Sequence, residues 1–181
     1  MRLLIASDIH GSGLYAEKLL AAFESLRPDK LLLLGDILYH GPRNPLPEGY
    51  APLRVAELLN GMKNEIVCVR GNCDAEVDQM VLEFPMMEDY TTLLFGRRLL
   101  FATHGHVYGP ENPPAMREDD ILLSGHTHIA GVTETDDGYF FVNPGSVSLP
   151  KGDLPPSCMW FDDGFVKLID FDGKQLGRWE V

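Results

Sequence analysis

Residues 3–10 read LLIASDIH, a short apolar run that stops on the small Ser7 and continues into Asp8 and His10. The same grammar returns in LLLLGD (31–36), IVCVRGN (66–72), LLFATHGH (99–106) and ILLSGHTH (121–128). Runs of this length, apolar at every position, predict strands buried on both faces, as in a sheet covered by crossover helices. Helical spacing lies between the first two runs: Tyr15, Leu19, Ala22, Phe23 and Leu26 mark an amphipathic helix over Leu14–Leu26, with Ser12 as its N-cap. A second helix is expected near Leu53–Met62, before the third run. Strands alternating with helices predict an α/β fold. In such sheets, sites form where loops converge at the carboxyl ends of strands. The residues gathered there would be Asp8, His10, Asp36, Asn72, His104, His106, His126 and His128. Asp8/His10 and His126/His128 are i,i+2 pairs, so extended backbone would aim both members at one face.

The second half changes character. TTLLFGRRLLFATHG predicts a hairpin turning at Gly96-Arg97, and GVTETDDGYFFV one turning at Asp137-Gly138. The segment 158–179 predicts two more, at Asp163-Gly164 and Asp172-Gly173. Asp-Gly between apolar runs is a strong hairpin signal. Prolines at 42, 45, 47 and 52 make residues 40–52 a stiff surface loop, neither helix nor central strand. No linker or repeat interrupts the chain, so residues 1–181 are expected to form one domain, a usual size for a single core.

Fifteen Lys and Arg against 27 Asp and Glu give a net charge of −12. That balance argues against broad binding to nucleic acid or anionic membrane, which need clustered positive charge. No basic stripe or aromatic stacking run suggests a nuclease on long substrates. The apolar run before Ser7 is too short for a secretory segment, and no window approaches a membrane span. Three cysteines, Cys68, Cys73 and Cys158, form no C-x-x-C pair and fit a reducing cytoplasm.

Any one strand end has a bland explanation: a Gly-Asp is usually a turn, and a lone His is usually a hydrogen-bonded core residue. Five strand ends all carrying ligand-type residues are much harder to explain as accident. In this order and spacing, DIH, GD, GN, HGH and GHTH resemble the blocks of the calcineurin-like metallophosphoesterases. GNCD, with GDILYHGPRNPLPEGYAP and VNPGSVSLPKG, is similar to the small bacterial YfcE-type phosphodiesterases. The resemblance spans Asp8 to about Gly152 and implies a four-layer α/β/β/α sandwich of two mixed sheets. It implies that Asp8, His10, Asp36 and His128 hold one metal, and that Asp36, Asn72, His104 and His126 hold another, with Asp36 bridging. Oxygen and imidazole donors suit Mn, Fe, Co or Zn, and geometry does not choose among them; the resemblance favours Mn2+. Open coordination positions mark a catalytic site. Two metals about 3.5–4 Å apart would hold a hydroxide for in-line attack and clamp the oxygens of the phosphoryl group.

The chain departs from the wider family in two blocks. The third block usually reads Gly-Asn-His-Asp or Gly-Asn-His-Glu, its His placed near the leaving group by an Asp of a GDxxDRG block. Here Cys73 stands for that His, Tyr39 for its partner and His40 for the Arg. Asn72 and Cys73 are therefore the candidate catalytic residues, with Cys73 read as a weak acid or, preferably, a small polar filler. Its reference pKa of about 8.5 makes it a poor proton donor. His40, Arg43 and His106 are candidate contacts to phosphate oxygens; Arg43 could equally be a solvated loop charge, and His106 a partner orienting a ligand. NPGSVS is assigned to structure, a turn under the site in which Gly145 allows close backbone approach.

The expected activity is metal-dependent hydrolysis of a small phosphodiester. A phosphomonoesterase would use the same core, and some relatives keep the fold as assembly scaffolds with a degraded metal site. All seven ligand positions are of ligand type here, and Asp8 and Asp36 would repel each other without cations. Edges of the C-terminal hairpins could pair subunits in a homo-oligomer.

Overall fold

The strand β1 (Leu3–Ala6) lies between β2 (Lys30–Leu33), which is parallel to it, and the antiparallel β9 (Ser157–Asp162). In this computed structural model, which describes residues 1–162 and 164–181, β1 is central to a sheet ordered β11-β10-β9-β1-β2-β3. Here β3 is Ile66–Cys68, β10 is Phe165–Asp170 and β11 is Gln175–Glu180. The second sheet is ordered β4-β5-β6-β8-β7, from β4 (Tyr90–Phe95), β5 (Arg98–Thr103), β6 (Ile121–Leu123), β7 (Gly131–Glu134) and β8 (Phe140–Asn143). Both sheets are mixed. β1, β2 and β3 are mutually parallel in one, and β5, β6 and β8 in the other. All five ligand-bearing runs are parallel strands.

The continuous apolar runs are explained by burial on both faces. Successive side chains of a strand point to opposite sides. Leu4, Ala6, Leu31 and Leu33 meet the helices α1 (Gly13–Leu26) and α2 (Pro52–Asn60) through Ala16, Leu19, Val55 and Leu59. Leu3, Ile5, Leu32 and Leu34 instead face the second sheet through Leu100, Ala102, Ile121 and Leu123. The sandwich is the α/β architecture expected. Its outermost layer, beyond the second sheet, is irregular: Tyr108 and Met116 from the loop 104–120 cover Phe101, Leu122 and Tyr139. Prolines 110, 113 and 114, with Gly105 and Gly109, keep that loop from helix by removing donors and adding backbone freedom.

Ser12 caps α1, its hydroxyl accepting from the Tyr15 N–H at 3.3 Å. Pro52, read from sequence as part of the stiff loop, is instead the first residue of α2, where its fixed φ and missing N–H cost nothing. A one-turn α3 (Glu76–Gln79) follows β3. The hairpins turn at Gly96, Gly138 and Gly173, with φ of 63°, 80° and 84°. At the Asp163-Gly164 turn, Asp163 lies outside the described residues, while Gly164 has φ 89° and joins β9 to β10.

Candidate metal centre

The carboxyl ends of β1, β2, β3, β5 and β6 meet at one edge of the sandwich, and their loops carry the polar residues. Asp8 and His10 do share one group, but the expected extended backbone and the His126/His128 pair fail here. Asp8, His10, Asp36, His126 and His128 have φ of 59°, 51°, 54°, 66° and 63°, all left-handed. Such conformations cost non-glycine residues of order 1–3 kcal/mol each and persist only where the surroundings enforce them. Enforcement comes from the main chain: Asp8 N–H donates to Gly35 O at 3.1 Å, His10 N–H to Asp36 O at 2.9 Å, and Gly125 N–H to His104 O at 2.8 Å. The pairs therefore split differently from extended strands. Asp8 and His10 share one cluster, whereas His126 turns to His104 and His128 turns to Asp8.

Around Asp8, the Oδ1 atom lies 3.4 Å from His10 Nε2 and 3.2 Å from His128 Nε2. The two Nε2 atoms are 3.2 Å apart, and Asp36 Oδ2 is 3.7 Å from His10 Nε2. A second group follows on the other side of Asp36. His104 Nε2 is 3.5 Å from Asp36 Oδ2, 3.1 Å from Asn72 Oδ1 and 3.3 Å from His126 Nδ1. Asp36 Oδ2 thus faces both groups, while its Oδ1 accepts the Cys73 N–H at 2.8 Å.

The tautomers are set from outside. His10, His104 and His128 each direct Nδ1 at a backbone carbonyl, of Tyr39, Leu34 and Leu149, at 2.8, 2.6 and 2.6 Å. With the proton on Nδ1, each Nε2 offers a lone pair inward. Asp8 Oδ2 accepts from the Ser7 hydroxyl at 2.6 Å and the His126 N–H at 3.0 Å, but its fully buried Oδ1 has no hydrogen-bond partner. Lone pairs of Oδ1 and two imidazoles facing each other require a cation between them, a proton or a metal. Burial opposes the charge on Asp8, yet His10 and His128 hold its carboxyl far below the usual carboxylate range. Burial likewise opposes a proton on His10, but Asp8 and Asp36 raise its pKa above the ordinary value. His126 shifts the other way, lowered by burial and His104, and so stays a neutral donor. Ligand-type atoms of Asp8, His10 and His128, and of Asp8, Asp36 and His104, lie within 4.8 Å of one another. The donor set fits divalent cations.

Two glycines let the loops close this tightly. A Cβ on Gly71 would fall 2.8 Å from Asp36 Cγ, and one on Gly125 2.7 Å from Asp8 Oδ2. Sequence reading missed Asp74, although it ends the GNCD stretch. Buried Asp74 accepts the N–H groups of Asp36, Ile37 and Gly71 at 2.8, 2.8 and 2.7 Å, locking the two metal-facing loops together. Burial, with the Asp36 charge, pushes its pKa up to about 6 despite those donors. The NPGSVS segment lies underneath: Ser146 Oγ donates to Asp8 O at 2.8 Å and Ser148 Oγ to Ile9 O at 2.9 Å. Gly145 there has φ 79°.

A cleft of about 450 Å3 opens over the two groups, lined among others by Asn72, Cys73, His126 and His128, with Arg43 and Lys151. Lys151, also unremarked in the sequence, is fixed by its N–H to His128 O at 2.9 Å. Cys73 Sγ accepts from Asn72 Nδ2 at 3.2 Å and can come within 4.8 Å of ligand atoms of His10 and Asp36. Burial and the Asp36 charge push its thiol up to about 12. His40 is not among the lining residues; its ring packs edge-on against Tyr39 and Tyr50, at 4.8 and 5.3 Å between centroids. His106 stands beside the second group, its ring 5.4 Å from that of His104.

A model of the calcineurin-like phosphoesterase superfamily domain matches residues 1–163. The chain belongs to the calcineurin-like phosphoesterase superfamily. Within this family it is 47% identical over 176 residues to phosphodiesterase YfcE of Escherichia coli K12, covering 97% of this chain and 95% of that one. It is 30% identical over 158 residues to the probable metallophosphoesterase YsnB of Bacillus subtilis 168, covering 83% and 78%. The solved structure of the phosphoesterase YfcE from E. coli superposes with a TM-score of 0.95 at 46% identity, covering 99% of both chains. The protein is a metal-dependent phosphoesterase of this family.

Proposed function

We propose that the protein hydrolyses small phosphodiesters with two divalent ions. Asp8, His10, Asp36 and His128 would hold one ion; Asp36, Asn72, His104 and His126 would hold the other, with Asp36 shared. The observation that carries this is the inward convergence of three imidazole Nε2 atoms, each fixed by its Nδ1 contact, on the carboxylates of Asp8 and Asp36. Likeness to phosphodiesterase YfcE along nearly the whole chain supports the diester. When bound, a pair of such ions supplies an acidified water and charge neutralisation for in-line displacement at phosphorus.

The remaining work falls to the chain. Asp74 holds the Asp36 and Gly71 loops in register, and Ser7 orients Asp8. Asn72 presents Oδ1 to the second group while its Nδ2 engages Cys73, so Cys73 shapes the pocket beside the reacting atoms. Oxygen and imidazole donors suit Mn2+, Fe2+, Co2+ or Zn2+ alike, and it is the resemblance to the YfcE-type phosphodiesterases that favours Mn2+ as the working metal. The three free cysteines favour a reducing cytoplasm, and no helix among the described residues is long and apolar enough to cross a membrane.

The test is hydrolysis of bis-p-nitrophenyl phosphate beside p-nitrophenyl phosphate by metal-stripped protein, with Mn2+, Zn2+ or Mg2+ added back. Diester turnover restored by Mn2+ and abolished in Asp36→Asn is expected. Monoester preference would overturn the substrate class, and bound metal without turnover would overturn the enzyme reading in favour of a scaffold.

A further inference from the structure

Arg43 and Lys151 come from different segments, the loop 40–51 and the loop after β8, yet both line the cleft over the metal-ligand groups. Neither position is loose. Lys151 N–H donates to His128 O at 2.9 Å, and two residues earlier Leu149 O engages His128 Nδ1 at 2.6 Å, so the segment is tied to His128 twice. Arg43 follows Gly41, whose Cα lies so close to Cys73 that a Cβ would fall 2.9 Å from Sγ. The turn is closed by Asn44 Nδ2 donating to His40 O at 2.8 Å. The two cations therefore reach the cleft from its His128 side and its Cys73 side.

Among the described residues, the ion pairs of Arg and Lys engage Arg2, Arg54, Lys63, Arg70 and Arg98, but neither Arg43 nor Lys151. Asp36 is the one carboxylate lining the cleft, and it faces the metal groups. Cations outside ion pairs are common in this chain; what sets these two apart is that both line the one opening over the metal-ligand groups. A phosphodiester does not need them. Two divalent ions set against Asp8, Asp36 and a hydroxide would leave one positive charge, which the single negative charge of a diester already matches. The charges of Arg43 and Lys151 are then left over and call for a second anionic group on the substrate.

We infer that Arg43 and Lys151 form a specificity subsite for one ester arm, and that the substrate is a phosphodiester whose arm carries its own carboxylate or phosphate. This rests on the phosphodiesterase reading above. Both residues would act on the arm that stays remote from the displacement, since neither belongs to the ligand groups.

Diesters sharing p-nitrophenolate as leaving group isolate the arm. The set is a butyl arm (neutral), a 3-carboxypropyl arm, a 3-phosphonopropyl arm and a choline arm (cationic). Wild-type protein with Mn2+ is expected to favour an anionic arm over butyl by about tenfold in kcat/KM, the scale of one or two charge-assisted contacts. The better of the two anionic arms names the group. Lys151→Met should bring that ratio towards one, and Lys151→Glu below one with the choline arm now preferred. Because each ratio is taken within one variant, altered folding or metal loading cancels. Calorimetric titration with 4-phosphonobutanoate against butylphosphonate should show the same ratio in Kd without turnover, shrinking in 0.5 M salt. Butyl-arm turnover with no anionic preference in wild type, or a ratio unmoved by both Lys151 variants, would overturn the subsite and leave the phosphodiesterase standing. Failure of every diester with every metal would overturn both.

Discussion

Gly71→Ala tests whether the loops really close on Asp36 as tightly as the site requires. Gly71 lies three residues after the end of β3, and its N–H is held by Asp74 at 2.7 Å. An added Cβ would meet Asp36 Cγ at 2.8 Å and would lie still closer to Asp36 Oδ1 and the Asp36 backbone nitrogen. Ordinary carbon contacts begin near 3.5 Å, so Cγ alone must retreat by about 0.7 Å, and clearing Oδ1 and the backbone brings the shift to about 1 Å. That backbone cannot yield easily, because Asp36 N–H is itself clamped by Asp74 at 2.8 Å. The cost in stability should be that of overpacking, about 1–3 kcal/mol. The cost in activity should be larger, since a displacement of about 1 Å at a reacting centre is worth about 100-fold. Gly131→Ala is the matched control: nothing lies within 4 Å of its added Cβ. Urea unfolding gives the stability, and bis-p-nitrophenyl phosphate turnover with Mn2+ titration gives activity and metal affinity. Gly71→Ala with wild-type turnover and affinity would refute the close-approach argument outright; equal losses in Gly131→Ala would show the effect to be unspecific.

Ser7→Ala removes the 2.6 Å donor that orients Asp8, and should weaken metal binding by about 10–100-fold with little loss of stability; unchanged affinity by calorimetry counts against that role. Cys73→Ser should retain turnover within about threefold on both p-nitrophenyl and alkyl leaving groups. A loss of about 100-fold or more confined to alkyl leaving groups would instead establish the thiol as general acid. In metal-stripped protein, stability should fall as pH rises through two windows. Asp74, raised from 3.8 to about 6, contributes stability that is present below 3.8 and lost by about 6. His10, raised above 6.5, contributes stability that is present below 6.5 and lost as pH climbs through its folded value. Added Mn2+ should offset the second loss, so the increase in Tm on adding metal should grow from pH 6 to pH 8; a constant increase would contradict it.

Much of this was legible in the sequence because the information is periodic or local. LLIASDIH and its four counterparts announce strands buried on both faces, and their shared polar endings announce a site at one edge of the sheets. Ser12 and the turn glycines act within a few residues of their own position, so their roles as cap and turn could be read directly. What sequence could not supply was backbone shape at the strand ends. The alternation of an extended chain would have put Asp8 with His10, as they are, but also His126 with His128. Left-handed backbone instead parts those two, His126 to His104 and His128 to Asp8. Nothing in Asp, His or their neighbours signals that conformation, because it is imposed by pairing with loops far away in the chain, such as Gly35 with Asp8 and His104 with Gly125.

Asp74 and Lys151 were opaque for the same reason, and they show what kind of information a single sequence lacks. An Asp after a Gly-Asn turn reads as a solvated turn residue, and its true partners, the N–H groups of Asp36 and Ile37, lie more than thirty positions away. Lys151 reads as a surface charge after Pro150 until its N–H is seen on His128 O. In both cases the residue type is ordinary and the chemistry comes from placement beside a ligand loop. The strain at the strand ends gives that placement a purpose. Left-handed Asp8, His10, Asp36, His126 and His128 each give up backbone stability; Ser7 and Ser146 hold Asp8, Asp74 holds Asp36, and bonds of the main chain hold the three histidines, from His10 N–H to Asp36 O, His126 N–H to Asp8 Oδ2 and Lys151 N–H to His128 O. A fold with no cation to bind would gain by relaxing those turns. Retaining five strained residues around an unpartnered buried carboxylate oxygen is the arrangement expected of a site whose stability is completed by the ions it holds.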